Sequence, residues 1–210
     1  QTMNTGPSLA FVDCAIGANA GGSGDPGQVH AQGRREVVIS GKRVKTVDVH
    51  AHCVVPEAAQ LMNHPLDEPE LLFSNVSDRL AEMDQSGVDV QALSINPYWY
   101  EAERDAVAKF IQVQNEALAE FCASHQDRFV AFATAALQYP ELAAEQVEQA
   151  VKTLGFRGVG VAGSVAGEDL ANPKFHPFWA KCEEMGVLVF MHPLGTRELE
   201  SSGRLAVNGM

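Results

Sequence analysis

At 210 residues the chain is long enough for one domain with a hydrophobic core, or for part of a larger single domain such as a barrel. It is 46% hydrophobic and 20% charged, as in ordinary soluble globular proteins, and its net charge of -12 speaks against the clustered Lys and Arg that phosphate binding needs. With no apolar run of transmembrane length either, neither nucleic acid nor a membrane is expected as a partner.

Residues 1–42 differ from the rest. Ser8 to Ala20 is an apolar run ending in Ala18-Asn19-Ala20, the small-x-small form of a signal-peptidase site, but Asp13 interrupts it and no basic segment precedes it. Gly21-Gly22-Ser23-Gly24-Asp25-Pro26-Gly27 follows, with no sustained period on either side. The expectation is a tail over 1–42, comprising a degenerate export signal, a linker and a short strand, and a single unit over 43–210. The expected location is the cytoplasm, with the periplasm as the alternative if residues 8–20 are the remnant of an export signal.

From Val37 the pattern sharpens. Val37-Val38-Ile39 with Ser40-Gly41 reads as a strand and turn leading into the first core strand, Val44 to Val49. A long connection, Val54 to Val76, carries three prolines and a short helix around Glu57 to Met62; such length inside a domain is usually functional. Ser77 to Gly87 reads as a helix with Ser77 as N-cap and Gly87 as its stop, and Val88 to Ile95 as a strand ending at Asn96-Pro97. Val107, Phe110, Ile111, Leu118 and Phe121 recur at helical spacing within Ala102 to Ser124. Then come a strand over Phe129 to Leu137, a helix over Leu142 to Leu154 opened by Pro140, and a strand over Phe156 to Val165. A helix over Pro173 to Met185 stopped by Gly186 leads to a strand over Val187 to Met191, ending at His192-Pro193.

Five strands alternating with helices through short connections imply a parallel α/β sheet covered by helices. An open doubly wound sheet and a (β/α) barrel compete. Neither G-x-G-x-x-G after the first strand nor G-x-x-x-x-G-K-[ST] occurs, which favours the barrel, with about five of eight units present.

Side chains alternate along a strand, so His50 and His52 point the same way. Two imidazoles on one face can relay protons or bind a metal. Both end the first strand, and His192 ends the fifth; ligand-binding groups in α/β folds gather at such C-terminal strand ends. Three histidines on one rim can hold a divalent ion with an open position for water or substrate. His30, His64, His125 and His176 read as tail, loop and helix-end residues. Asn96 and Pro97, with Tyr98 and Trp99, end the second strand, and Asn96 and Trp99 are the candidate substrate-binding residues on the same rim, although ordinary packing of this loop onto its helix fits equally well. Cys53 falls on the face opposite the histidines, and Cys122 and Cys182 sit in helical patterns, so structural thiols are expected there.

On these residues the chain resembles the amidohydrolase superfamily, in its branch of aminocarboxymuconate-semialdehyde decarboxylase and related aromatic-acid decarboxylases. Val47-Asp48-Val49-His50-Ala51-His52 is similar to the first-strand motif of that branch and Phe190-Met191-His192-Pro193 to its fifth-strand motif. Glu82 to Val88, Gln91 to Ser94, Asp127 to Val130 and Leu154 to Val159 match in order between them, and the resemblance spans 44–193. It implies a (β/α)8 TIM barrel, here truncated after about five units, and one divalent metal ion, usually zinc, on the equivalents of His50, His52 and His192. It also implies a metal aspartate from the eighth strand and an acid–base histidine from the sixth, which have no counterpart here, so catalytic residues are not assigned.

The activity implied is non-oxidative decarboxylation of an aromatic or unsaturated carboxylic acid, with hydrolysis of an amide, ester or lactone as the alternative. The named decarboxylase is cationic in the loop after its first strand, whereas no Lys or Arg lies between Lys45 and Arg79 here. The chain is expected to be the N-terminal part of a longer enzyme, inactive alone and prone to homo-oligomerise through exposed barrel edges.

Overall fold

The computed structural model of the chain describes residues 9–12, 34–62, 73–96 and 98–192. The glycine-rich and most of the export-signal stretches lie outside the described residues, as do Cys14, His30, His64, Pro97 and Pro193.

In chain order the elements are β1 (Ala10–Val12), β2 (Val37–Ile39), β3 (Lys42–Val44), β4 (Val47–Val54), α1 (Pro56–Leu61), β5 (Phe73–Ser74), α2 (Val76–Ser86) and β6 (Val90–Ser94). There follow α3 (Arg104–Ser124), β7 (Phe129–Ala131), β8 (Ala133–Thr134), α4 (Pro140–Lys152), β9 (Gly158–Ala162), β10 (Ser164–Val165), β11 (Glu168–Asp169), α5 (His176–Met185) and β12 (Leu188–His192). Local chemistry sets several boundaries. Gly87 (φ 80) and Gly186 (φ 61) end α2 and α5 in the left-handed region, as their positions predict. The N-cap of α2 is Asn75 rather than Ser77: the Asn75 carboxamide oxygen accepts the Asp78 backbone N–H at 3.0 Å, while Ser77 lies inside the first turn.

The predicted strand over Phe129 to Leu137 is shorter and divided between two partners. β7 pairs with β6, and β8 pairs with β9. At the hand-over the Phe132 N–H still donates to Leu93 O at 2.9 Å, so one chain segment joins the two halves. The parallel strands therefore follow one another in sequence order, β4, β6, β7/β8, β9, β12, each beside the next. An open doubly wound sheet reverses its strand order at a switch point; this one does not.

Helices cover one face. Val107, Phe110, Ile111 and Leu118 of α3 pack with Leu93 and Phe129 in one buried cluster, and Val159 and Val161 of β9 pack with Phe175, Phe178 and Val147 in a second. By alternation, Gly158, Gly160 and Ala162 of β9 face the opposite, concave side.

Ala10–Val12, which the sequence places in the tail, belongs to the sheet. β1 runs antiparallel to β4 with Phe11 opposite Cys53, and the Phe11 ring is fully buried against Phe121 and Phe129. A three-residue strand shows no period, so burial here has no sequence signature. The expectation of a bare first-strand edge is corrected in part: β1 covers His52–Val54, while Val47 and Val49 are exposed, as are Leu188 and Met191 on β12.

The β2–β3 hairpin is tied to the remainder by Asp89. Its buried carboxylate takes Arg43 at 2.6 Å, Arg34 at 2.7 Å and the Thr46 backbone N–H at 2.8 Å. The Thr46 N–H first, and then the Arg43 guanidinium, hold the Asp89 carboxyl below the usual carboxylate range.

Candidate metal centre

His50 and His52 come from the middle of β4, and a β-bulge between Asp48 and Ala51 interrupts its register with β6. Bulges re-aim side chains near sites. Here the Asp48 carboxylate accepts the His50 backbone N–H at 3.0 Å and the Gln91 Nε2–H from β6 at 3.0 Å, fixing the bulged segment. Ala51 and Cys53 point the other way into the core, and burial pushes the Cys53 thiol far up, so it is not a ligand.

His192 ends β12. In a flat sheet, four strand spacings of about 4.8 Å would hold β4 and β12 roughly 19 Å apart. Instead His50 Nε2 and His192 Nε2 are 3.0 Å apart, and ring centroids lie 4.7 Å apart for His50–His52 and 5.0 Å for His52–His192. The sheet is strongly curled, and its concave face gathers the three imidazoles.

One ligand atom from each histidine lies within 4.8 Å of the others. A tetrahedral ion with nitrogen ligands at 2.0–2.1 Å sets its donors about 3.3 Å apart. The His50–His192 pair is already near that spacing. His52 and His192 are each 3% exposed, and His192 Nδ1 is buried with no hydrogen-bond partner among the described residues. Burial first, and then the neighbouring imidazoles, lower both side chains to about 4, so both are neutral and able to offer lone pairs at neutral pH. Neutral, convergent and partly orphaned imidazoles fit a divalent ion.

His52 Nδ1 faces Ser94 Oγ at 3.2 Å and Asn96 Nδ2 at 3.1 Å, leaving Nε2 for the cluster. Ligation through Nε2 requires Nδ1 to carry the proton and donate to Ser94 Oγ, with the Asn96 carboxamide turned so that its oxygen accepts. Below the histidines, Phe190 and Phe132 stack with centroids 4.9 Å apart, and Phe190 lies 6.3 Å from His50. A Cβ on Gly158 would come within 2.7 Å of the Phe132 ring, so that glycine makes room for the floor.

Of the rim residues proposed from sequence, Asn96 joins the cluster and Trp99 turns elsewhere. The Trp99 ring packs edge-on against Phe110 of α3 at 5.9 Å, which is the packing alternative, and its backbone adopts φ 56. Asp48, Ser94 and the two phenylalanines were missed. Ser94 pairs in register with His52, and Asp48 sits two residues before His50, so spacing alone could have pointed to both.

A family model described as amidohydrolase matches residues 47–207. The chain is 37% identical over 125 residues to gamma-resorcylate decarboxylase of Rhizobium sp., covering 55% of this chain and 38% of that protein. It is 27% identical over 117 residues to 2-amino-3-carboxymuconate-6-semialdehyde decarboxylase of Dictyostelium discoideum, covering 55% of this chain and 33% of that one. A crystal structure of dihydroxybenzoic acid decarboxylase from Polaromonas sp., with bound manganese and the inhibitor 2-nitroresorcinol, superposes with a TM-score of 0.61 at 26% identity. That match covers 77% of this chain and 54% of the other. The chain spans less than half the length of the curated relatives it matches.

Proposed function

The chain belongs to the amidohydrolase family, and from that premise we propose that it carries the metal-binding rim of a non-oxidative decarboxylase acting on an aromatic or unsaturated carboxylic acid. The observation that carries this reading is the convergence of His50, His52 and His192 from the first and fifth parallel strands. The named activities of the relatives supply the reaction class. The five sequential β/α units are read as the first five of a (β/α)8 barrel.

His50, His52 and His192 would hold one divalent ion. Zinc suits three imidazoles, and manganese is the ion bound in the Polaromonas neighbour. Such an ion supplies a Lewis-acid centre for the substrate carboxylate and a neighbouring oxygen. Within this chain, Asp48 sets the His50 backbone and Ser94 fixes the His52 ring. The Phe190–Phe132 pair gives an apolar floor that keeps water from beneath a flat ring. Of the rim residues expected to touch substrate, Asn96 is retained; Trp99 is assigned to packing. The partner is a small carboxylic acid. No helix among the described residues is long and apolar enough to cross a membrane.

Product analysis in 18O-labelled water tests the reaction. Release of carbon dioxide from 2,6-dihydroxybenzoate with no label in the organic product supports decarboxylation; uptake of label from an amide or lactone supports hydrolysis and overturns it. The short coverage of the relatives favours a second reading, in which the chain binds metal but does not turn over alone; a purified monomer with measurable turnover would refute that.

A further inference from the structure

In the loop that follows the C-terminal end of β6, Tyr98 and Tyr100 stack with ring centroids 5.6 Å apart and 17° between planes. Both reach across to β9. Tyr100 Oη accepts the Ala162 backbone N–H at 3.3 Å, which engages that phenol. Tyr98 Oη has no such engagement: it is buried and finds no hydrogen-bond partner among the described residues, although the side chain is only 3% exposed. An unmet buried hydroxyl costs stability, so the arrangement asks for an explanation.

Its position supplies one. A Cβ on Gly160 would meet Tyr98 Oη at 3.2 Å, so the hydroxyl lies on the concave face of β9, where the absence of a side chain leaves it room. In the parallel register Gly160 pairs with Phe190 and Ala162 with His192. Tyr98 Oη therefore stands one strand away from β12, at the level of Phe190 and one inward-facing layer beneath His192. It lies at the edge of the phenylalanine floor, on the side that faces up toward the imidazoles. Burial keeps the phenol protonated at any physiological pH, so it can act as a donor.

We propose that Tyr98 is a substrate-binding residue whose hydroxyl donates a hydrogen bond to an acceptor oxygen of the carboxylic acid held at the histidine rim. This rests on the carboxylic-acid reading above. The acceptor is either the carboxylate itself or an oxygen borne by the ring. A site built around a donor rejects ligands that leave it unpaired, so Tyr98 would also set specificity.

Calorimetric titration of the manganese-loaded full chain with benzoate and with 2,6-dihydroxybenzoate, for wild type and Tyr98→Phe, tests this. The expected result is unchanged manganese affinity and an about tenfold weaker ligand affinity in Tyr98→Phe. Loss for both ligands places the donor on the carboxylate, and loss for the dihydroxy acid alone places it on the ring oxygen. Gly160→Ala, which crowds the same hydroxyl, should weaken the same ligand while retaining the metal. If wild type binds ligand and Tyr98→Phe binds it equally, the proposal fails and the carboxylic-acid reading stands. If manganese-loaded wild type binds neither acid, both fail. Equal weakening of metal and ligand in Tyr98→Phe would show a structural role and also overturn it.

Discussion

His50 and His192 are 142 positions apart in the chain, yet their Nε2 atoms are 3.0 Å apart. Two imidazole nitrogens at that distance share at most one proton, and an ion between them engages both lone pairs. Replacing either with Ala should lower zinc or manganese affinity by at least about a hundredfold, measured by competition with a chromophoric chelator, while far-ultraviolet circular dichroism is retained.

The same cluster makes the metal-free chain acid-sensitive. Unfolded, His52 and His192 take up a proton near their ordinary 6.5; folded, burial and then neighbouring imidazoles postpone this to about 4. Between those values the unfolded chain binds more protons, so stability should fall as pH drops from 6.5 toward 4, by on the order of a few kcal/mol. Urea denaturation across that range should show this, and His192→Gln should flatten the slope.

Asp48 touches no ligand ring, yet its carboxylate holds the His50 N–H and Gln91. Asp48→Ala should weaken metal binding about tenfold or more with little loss of helix signal, because outer partners orient ligands. Asp48→Asn, which keeps an acceptor for one of the two bonds, should retain more affinity. Identical affinities for all three proteins would remove Asp48 from the site.

Phe11 anchors β1 under the sheet with no exposed surface. Phe11→Ala should cost about 3–5 kcal/mol in chemical denaturation. A stability equal to wild type would return Leu9–Val12 to a peripheral role.

Asp89 should prove structural. Asp89→Ala removes the acceptor that Arg34, Arg43 and the Thr46 N–H share, and is expected to lower the denaturation midpoint while leaving metal affinity unchanged.

Much of this was legible in the sequence because it depends on local chemistry. Gly87 and Gly186 stop helices wherever a left-handed residue is needed, and the α3 stripe through Val107, Phe110, Ile111 and Leu118 shows its buried face by spacing. His50 and His52 were visible as a pair by alternation. What escaped depends on long-range geometry. The division of one predicted strand into β7 and β8 follows from the sheet curling, and the burial of Leu9 and Phe11 from a partner strand some forty residues away. Trp99 carries no local mark that separates a rim aromatic from one packed on Phe110. Asn75 was in reach, since Asn75 and Asp78 have the spacing of a cap, but Ser77 competed for the same role.

The hand-over at Phe132, where a single segment leaves β6 and joins β9, places the two halves of the imidazole cluster on opposite sides of one crease. His50 and His52 ride on one leaf and His192 on the other. Metal affinity is thus a gauge of how far the leaves have folded together, and a substitution at the crease would open the site without altering any of the three imidazoles.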